Sequence, residues 1–109
     1  MEMQQIRYFV ALAQTLNFTR AAEACFVGQS TLSAGLKELE STLGVQLVER
    51  DKQNVALTAV GESVVQRTRL VLAAAEDLAD FAADAARPMQ GQLRLGVIPT
   101  IAPYLLPLD

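Results

Sequence analysis

Apolar residues recur with helical spacing along most of this chain, interrupted by a short β-like pattern after residue 44. Met3, Ile6, Phe9, Val10, Ala13 and Leu16 fall at three- and four-residue steps, which predicts an amphipathic first helix. Asn17 is placed to accept hydrogen bonds from the free N–H groups of a second helix. That helix is short, with Phe18, Ala21, Ala22 and Cys25 at i, i+3, i+4 and i+7 on one face. Its adjacent alanines allow another helix to approach closely. Phe26-Val27-Gly28 breaks the pattern as a tight connection. A third helix is expected from Gln29-Ser30, with Leu32, Leu36, Leu39 and Leu43 on one side. Gly44 follows at once, where a helix C-terminus calls for a left-handed residue.

A β pair comes next: Val45 to Arg50, a polar turn at Asp51-Lys52-Gln53-Asn54, then Val55 to Leu57. Three helices and a small hairpin describe a winged helix-turn-helix over residues 1–58, with the helix-turn-helix at about 18–37 and the wing at about 45–57. Thr58 can cap a much longer helix, since no proline intervenes before Pro88. Residues 59–87 would then form a rod about 43 Å long. Val64, Val71, Leu78 and Ala85 are spaced by seven, and Thr68, Ala75 and Ala82 stand four positions after the first three. This is an a/d seam with small d residues, suited to a partner helix, and it predicts a dimer interface on the linker helix. Pro88-Met89-Gln90-Gly91 reads as a hinge, and Gln92 to Ile98 alternates as a strand. Pro99 to Pro107 has the pattern of a loop and a first helical turn, so residues 92–109 are expected to be the truncated start of a second, α/β domain. One strand and a fragment bury too little to make a core. The fold class expected is mainly α.

Half the residues are hydrophobic and tryptophan is absent, so Leu, Val and Ala must build the core. No run approaches the roughly 20 apolar residues of a membrane span, and no basic segment precedes an apolar run as in a signal peptide. A single cysteine excludes an internal disulfide, and a cytoplasmic location is expected. The chain lacks histidine, a phosphate-binding glycine loop and a metal-ligand cluster, so neither an enzyme, a cofactor nor a metal is expected. The formal charge is −3. Residues 1–57 carry five bases (Arg7, Arg20, Lys37, Arg50, Lys52) against six acids (Glu2, Glu23, Glu38, Glu40, Glu49, Asp51). DNA affinity rests heavily on cations that neutralise phosphates, so composition alone does not point to nucleic acid. The pattern does.

In a helix-turn-helix the second helix of the pair enters the major groove with its N-terminal residues against base edges. Opposite the leucines of the third helix lie Ser30, Ser33, Ala34, Lys37 and Ser41, a small, hydroxyl-rich face with one cation. Gln29, Thr31 and Ser33 are the candidates for reading bases, because a glutamine can pair bidentately with adenine and hydroxyls suit either kind of edge. Arg20, Lys37, Arg50 and Lys52, with the hydroxyls of Thr19 and Ser30, are candidates for positioning phosphates, and Gln53 shares the wing turn with Lys52. The competing reading is a solvated helix face in a helical dimerisation module that binds no DNA. Cys25 sits among Phe18, Ala21 and Ala22, with no cation beside it in the sequence to lower its pKa. It reads as a small buried hydrophobe.

The runs Phe18-Thr19-Arg20-Ala21-Ala22, Gln29-Ser30-Thr31-Leu32-Ser33, Leu39-Glu40, Leu43-Gly44-Val45-Gln46-Leu47, Glu49-Arg50 and Leu57-Thr58-Ala59-Val60-Gly61 closely resemble LysR-type transcriptional regulators. The resemblance implies a sequence-specific transcription factor with a dimerising linker helix and an effector domain like a periplasmic binding protein. It implies homodimers that pair into tetramers on double-stranded promoter DNA, activating or repressing genes through RNA polymerase. Residues 89–100, followed by Ala102-Pro103-Tyr104-Leu105-Leu106-Pro107, are similar to the OxyR subgroup of hydrogen-peroxide sensors, which implies a response to oxidative stress. A regulator of another small effector is the alternative, since related regulators share the Tyr-Leu-Leu-Pro segment. The subgroup's sensing thiols would lie beyond Asp109. Three positions depart from the family: Gly28 stands where Ser is common, and Gln53 and Asn54 stand in a wing that is usually more basic.

Overall fold

A computed structural model of the chain describes residues 1–51 and 54–87. The expected hinge at 88–91, the strand at 92–98 and the segment after it lie outside the described residues, as do Lys52 and Gln53. The described elements run in the order α1 (Met3–Thr15), α2 (Phe18–Ala24), α3 (Gln29–Leu43), β1 (Val48–Arg50), β2 (Val55–Leu57) and α4 (Ala59–Ala86). This is the mainly α, winged helix-turn-helix order expected from the sequence.

Local bonds mark several of the helix ends. The backbone N–H of Glu2 donates to Oε1 of Gln5 at 3.3 Å, and Leu16 closes α1 in the left-handed region, its N–H donating to the Leu12 carbonyl at 2.7 Å. Asn17 Oδ1 accepts from the N–H of Arg20 at 2.9 Å and starts α2. The connection to α3 turns through Phe26, which has φ 59° and is 94% exposed. Val27 N–H returns to the Ala22 carbonyl at 3.0 Å. Gly44 ends α3 with φ 74°, as its position after Leu43 predicts.

The core is made where α1, α2 and α3 meet the start of the wing. Phe9, Leu12, Leu32, Leu36, Leu39, Leu47 and Val48 are fully enclosed. Each such side chain contributes about 1.5–3 kcal/mol from burial. Ile6, Ala21 and Ala22 join them as the spacing predicts, and Tyr8 is buried as well. Leu43 is the exception among the α3 leucines: it remains 37% exposed, at the last residue of the helix.

The hairpin is shorter than expected. β1 pairs antiparallel with β2 in the register Val48↔Leu57, Glu49↔Ala56 and Arg50↔Val55, but residues 45–47 are not strand. Their backbone groups are satisfied elsewhere. Val45 N–H donates to the Glu40 carbonyl at 3.3 Å, the Gln46 carbonyl accepts from the Thr58 hydroxyl at 2.7 Å, and Leu47 N–H donates to the Glu40 carboxylate at 2.8 Å. Thr58 caps α4, its Oγ1 accepting from Gly61 N–H at 2.9 Å. A β-carbon on Gly61 would collide with the Leu47 carbonyl, so this glycine lets α4 lie against the base of the wing.

Contacts divide the chain into two units, Met1–Asp77 and Leu78–Asp109. In the first, α4 buries Gly61, Val65 and Thr68, with Val64 and Leu72 packed at the edge of the core. Of the second, residues 78–87 are described, and their side chains are exposed. Among the described residues no helix is long and apolar enough to cross a membrane, and no group of His, Cys, Asp or Glu could hold a metal ion.

Candidate nucleic-acid interface

The leucine side of α3 is turned into the core, which commits the opposite side to solvent. Ser30, Ala34, Lys37 and Ser41 are exposed and Ser33 is half-buried. Helical phase places Ser30, Ser33, Ala34, Lys37 and Ser41 together on the outward face, while Gln29 and Thr31 fall on its two flanks. The Gln29 flank is the one beside α2, because the Thr19 hydroxyl donates to Gln29 Oε1 at 3.2 Å. Both flanking residues are exposed. The backbone N–H groups of the first turn of α3 lack a side-chain cap, since Gly28 occupies the N-cap position. Those donors remain open to an anion.

The cations are spread across three elements. Arg20 is exposed on α2 and Lys37 on α3, and among the described residues neither has an ion-pair partner. Arg50 on β1 holds its guanidinium carbon 5.4 Å from the centre of the Phe18 ring. An exposed contact of this kind contributes about 0.5–1 kcal/mol, enough to bias Arg50 toward the start of α2. Exposed acids at Glu23, Glu38 and Glu49 lie on these same elements, so the surface is mixed rather than uniformly basic.

Residues 3–62 match the family model for bacterial regulatory helix-turn-helix proteins of the lysR family. The chain belongs to the lysR family. A relative from Acinetobacter baylyi, the HTH-type transcriptional regulator EstR, is 54% identical over 104 residues, covering 95% of this chain and 35% of EstR. The probable hydrogen peroxide-inducible genes activator of Mycobacterium xenopi is 49% identical over 102 residues, covering 94% of this chain and 54% of that protein. Among solved structures, a complex of the CbnR DNA-binding domain with DNA is similar at TM-score 0.75 and 36% identity, covering 80% of this chain and all of that one. The lysR-family chain therefore spans about a third to a half of these curated relatives.

Not every residue expected on the seam of the linker helix is presented for a partner. Thr68 is only 6% exposed, and its hydroxyl donates to the Val65 carbonyl at 2.8 Å. It is enclosed in its own unit. Val64 and Ala75 are half-buried there as well, whereas Val71, Leu78, Ala82 and Ala85 are exposed. The heptad spacing that marked a partner seam is, in the first half of the helix, partly the face that α4 turns to its own core. Sequence reasoning missed two large apolar residues that are left open, Leu70 at 70% and Phe81 at 71% exposure. Both fall at three- and four-residue steps from Ala74 and Leu78, a signal that the stronger valine heptad concealed.

Glu40 was also missed as a structural residue of this site. Its carboxylate accepts from the N–H groups of Leu47 at 2.8 Å and Val48 at 3.2 Å, tying the root of the wing to α3. Nothing in the spacing of the sequence distinguishes this acid from a solvated one.

Proposed function

We propose that this chain is the DNA-binding part of a LysR-type transcription regulator. It binds an inverted-repeat promoter site as a homodimer, with α3 of each subunit in a major groove. The observation that carries this reading is the outward face of α3, where Ser30, Ser33, Ala34 and Lys37 form a low, polar, singly cationic surface beyond α2. Small side chains let a helix approach base edges closely. The likeness to the CbnR DNA-binding domain solved on DNA supports it. Gln29, Thr31 and Ser33 meet bases. Arg20, Lys37, Arg50 and Lys52, with the hydroxyls of Thr19 and Ser30 and with Gln53 of the wing turn, meet the backbone, and the exposed apolar residues Val71, Leu78, Ala82 and Ala85 of α4 meet the partner subunit. With so few cations per subunit, grip depends on two linked subunits binding together. In the whole regulator, dimers pair into tetramers and act in the cytoplasm.

The experiment is fluorescence anisotropy of the chain on an inverted-repeat duplex from a promoter it controls and on a scrambled duplex, over a range of salt concentrations. The promoter duplex should bind more tightly, and the logarithm of the affinity should fall with the logarithm of salt at a slope of about −0.9 per neutralised phosphate. Weak binding without discrimination or salt dependence would instead support a helical interaction module.

A second reading concerns the signal. The 49% identity with the probable hydrogen peroxide-inducible genes activator of M. xenopi supports a regulator that responds to hydrogen peroxide, while the 54% identity with EstR keeps a regulator of a different small effector as the alternative. Peroxide-dependent footprint changes at the promoter, made by the full regulator, test it.

A further inference from the structure

We infer that Phe18 is a positioning residue for DNA binding: its ring holds the Arg50 guanidinium beside the helix-turn-helix, where it meets a phosphate. The inference rests on the DNA-binding reading above.

The ring is anchored from below. Phe18 is the first residue of α2, whose start is fixed by the Asn17 side chain accepting from Arg20 N–H. Its side chain is half-buried against the core. Arg50 is the last residue of β1, paired across the hairpin with Val55, and it is exposed. Its guanidinium carbon lies 5.4 Å from the centre of the Phe18 ring, within the distance at which the negative face of an aromatic ring attracts a cation. A wing residue is thereby tied to α2. It is held at the end of α2 that adjoins the start of α3, since Thr19, the next residue, lies 3.2 Å from Gln29.

The ring holds the arginine without occupying the groups that DNA needs. A carboxylate partner would neutralise the guanidinium and take up N–H donors. Among the described residues Arg50 has no ion-pair partner. Glu49 precedes it, but strand alternation turns the two side chains to opposite faces. A ring contact leaves the charge and all five N–H groups of the guanidinium for phosphate oxygens. That distinction matters in a segment, residues 1–57, where six acids stand against five bases.

At an exposed site the attraction favours the held arrangement by about two- to fivefold. Each subunit of a homodimer gains this factor at its own half-site, so the dimer gains about four- to twenty-fivefold. Without the ring, Arg50 still reaches a phosphate but must first be ordered. Loss of the ring therefore lowers affinity and leaves the number of neutralised phosphates unchanged.

The test is fluorescence anisotropy on the inverted-repeat duplex, over a range of salt, for the wild-type chain, Phe18→Leu, Phe18→Tyr, Arg50→Ala and the Phe18→Leu/Arg50→Ala pair. A further chain carries trifluorophenylalanine at position 18, which keeps the shape of the ring while depleting its negative face. Arg50→Ala should reduce the salt slope by about one per subunit. Phe18→Leu and the fluorinated chain should bind about four- to twenty-fivefold more weakly at an unchanged slope. Phe18→Tyr should keep wild-type affinity, and Phe18→Leu should lose nothing further once Arg50 is alanine. Wild-type affinity in the fluorinated chain would overturn the inference. So would equal losses from Phe18→Leu with and without Arg50, which would make Phe18 a DNA contact in its own right. Unchanged binding by Arg50→Ala, with the wild type still salt-dependent, would sink this inference alone. If the wild type shows neither discrimination nor salt dependence, the DNA-binding reading fails and this inference fails with it. Circular dichroism of each variant separates these outcomes from misfolding.

Discussion

The ring of Tyr8 lies against Gly35, so closely that a β-carbon on the glycine would come within 2.6 Å of Tyr8 Cδ2. Tyr8 belongs to α1 and is only 6% exposed, while Gly35 is in the middle of α3. This contact sets how near the recognition helix sits to the rest of the core. Gly35→Ala should cost about 1–2 kcal/mol, because the overpacking penalty exceeds the gain in helix propensity. In a Tyr8→Ala background the sign should reverse, with Gly35→Ala stabilising by about 0.5–1 kcal/mol. Urea denaturation of the four proteins at one protein concentration measures both effects.

Removing the Glu40 carboxylate should loosen the wing rather than the helices. Glu40→Ala leaves the Leu47 and Val48 N–H groups without their acceptor, at a cost of about 1–3 kcal/mol. Glu40→Gln retains an oxygen and should lose less. Amide hydrogen exchange should accelerate at Leu47 and Val48 in Glu40→Ala while protection at Leu12 and Leu36 falls only with global stability.

The N-cap of α3 can be improved. Gly28 has φ −74° and ψ 157°, ordinary values for any residue, and a β-carbon there meets nothing within 4 Å. Gly28→Ser should supply the missing cap and restrict the unfolded chain, a gain of about 0.5 kcal/mol. Thermal unfolding should shift upward by about 2–4 °C.

Cys25 should react slowly in the folded chain. It is half-buried at the C-cap of α2, with Sγ 4.0 Å from the Arg7 carbonyl oxygen, and desolvation by burial raises its thiol pKa. Because the folded pKa lies above the unfolded one, the thiol's contribution to stability is present below the unfolded pKa and is lost as pH rises through the folded value. Iodoacetamide should therefore alkylate Cys25 faster in urea than in buffer at the same mildly alkaline pH. Equal rates would show that folding does not shield the thiol.

Several helix limits were legible because the residue at the limit signals it: Asn17 before Phe18, Gly44 after Leu43, Thr58 before Ala59. The α3 core leucines Leu32, Leu36 and Leu39 were legible from periodicity, whereas Leu43, Met3 and Leu16 on the expected apolar faces are exposed and the fully enclosed Leu12 lies off the stripe expected for α1. What periodicity could not separate is which of two seams on one helix faces home. In α4 the heptad residue Thr68 is turned inward while Leu70 and Phe81 are open, and within the first unit the approach of Gly61 to the Leu47 carbonyl accompanies the inward turn of Thr68. Tyr8 was unread because its burial requires a glycine 27 positions later. The pairing of Thr19 with Gln29 spans ten residues, and no spacing in the sequence signals it.

In the proposed complex α3 reads bases with its small polar face and holds the backbone with Lys37. The direct measurement is the affinity of the wild type, Ser33→Ala and Lys37→Ala for a specific and a random duplex at fixed salt. Ser33→Ala should weaken the specific complex by about fivefold or more and leave the random one unchanged, whereas Lys37→Ala should weaken both by a similar factor. Equal losses on both duplexes for both variants, or no loss for either, would contradict it.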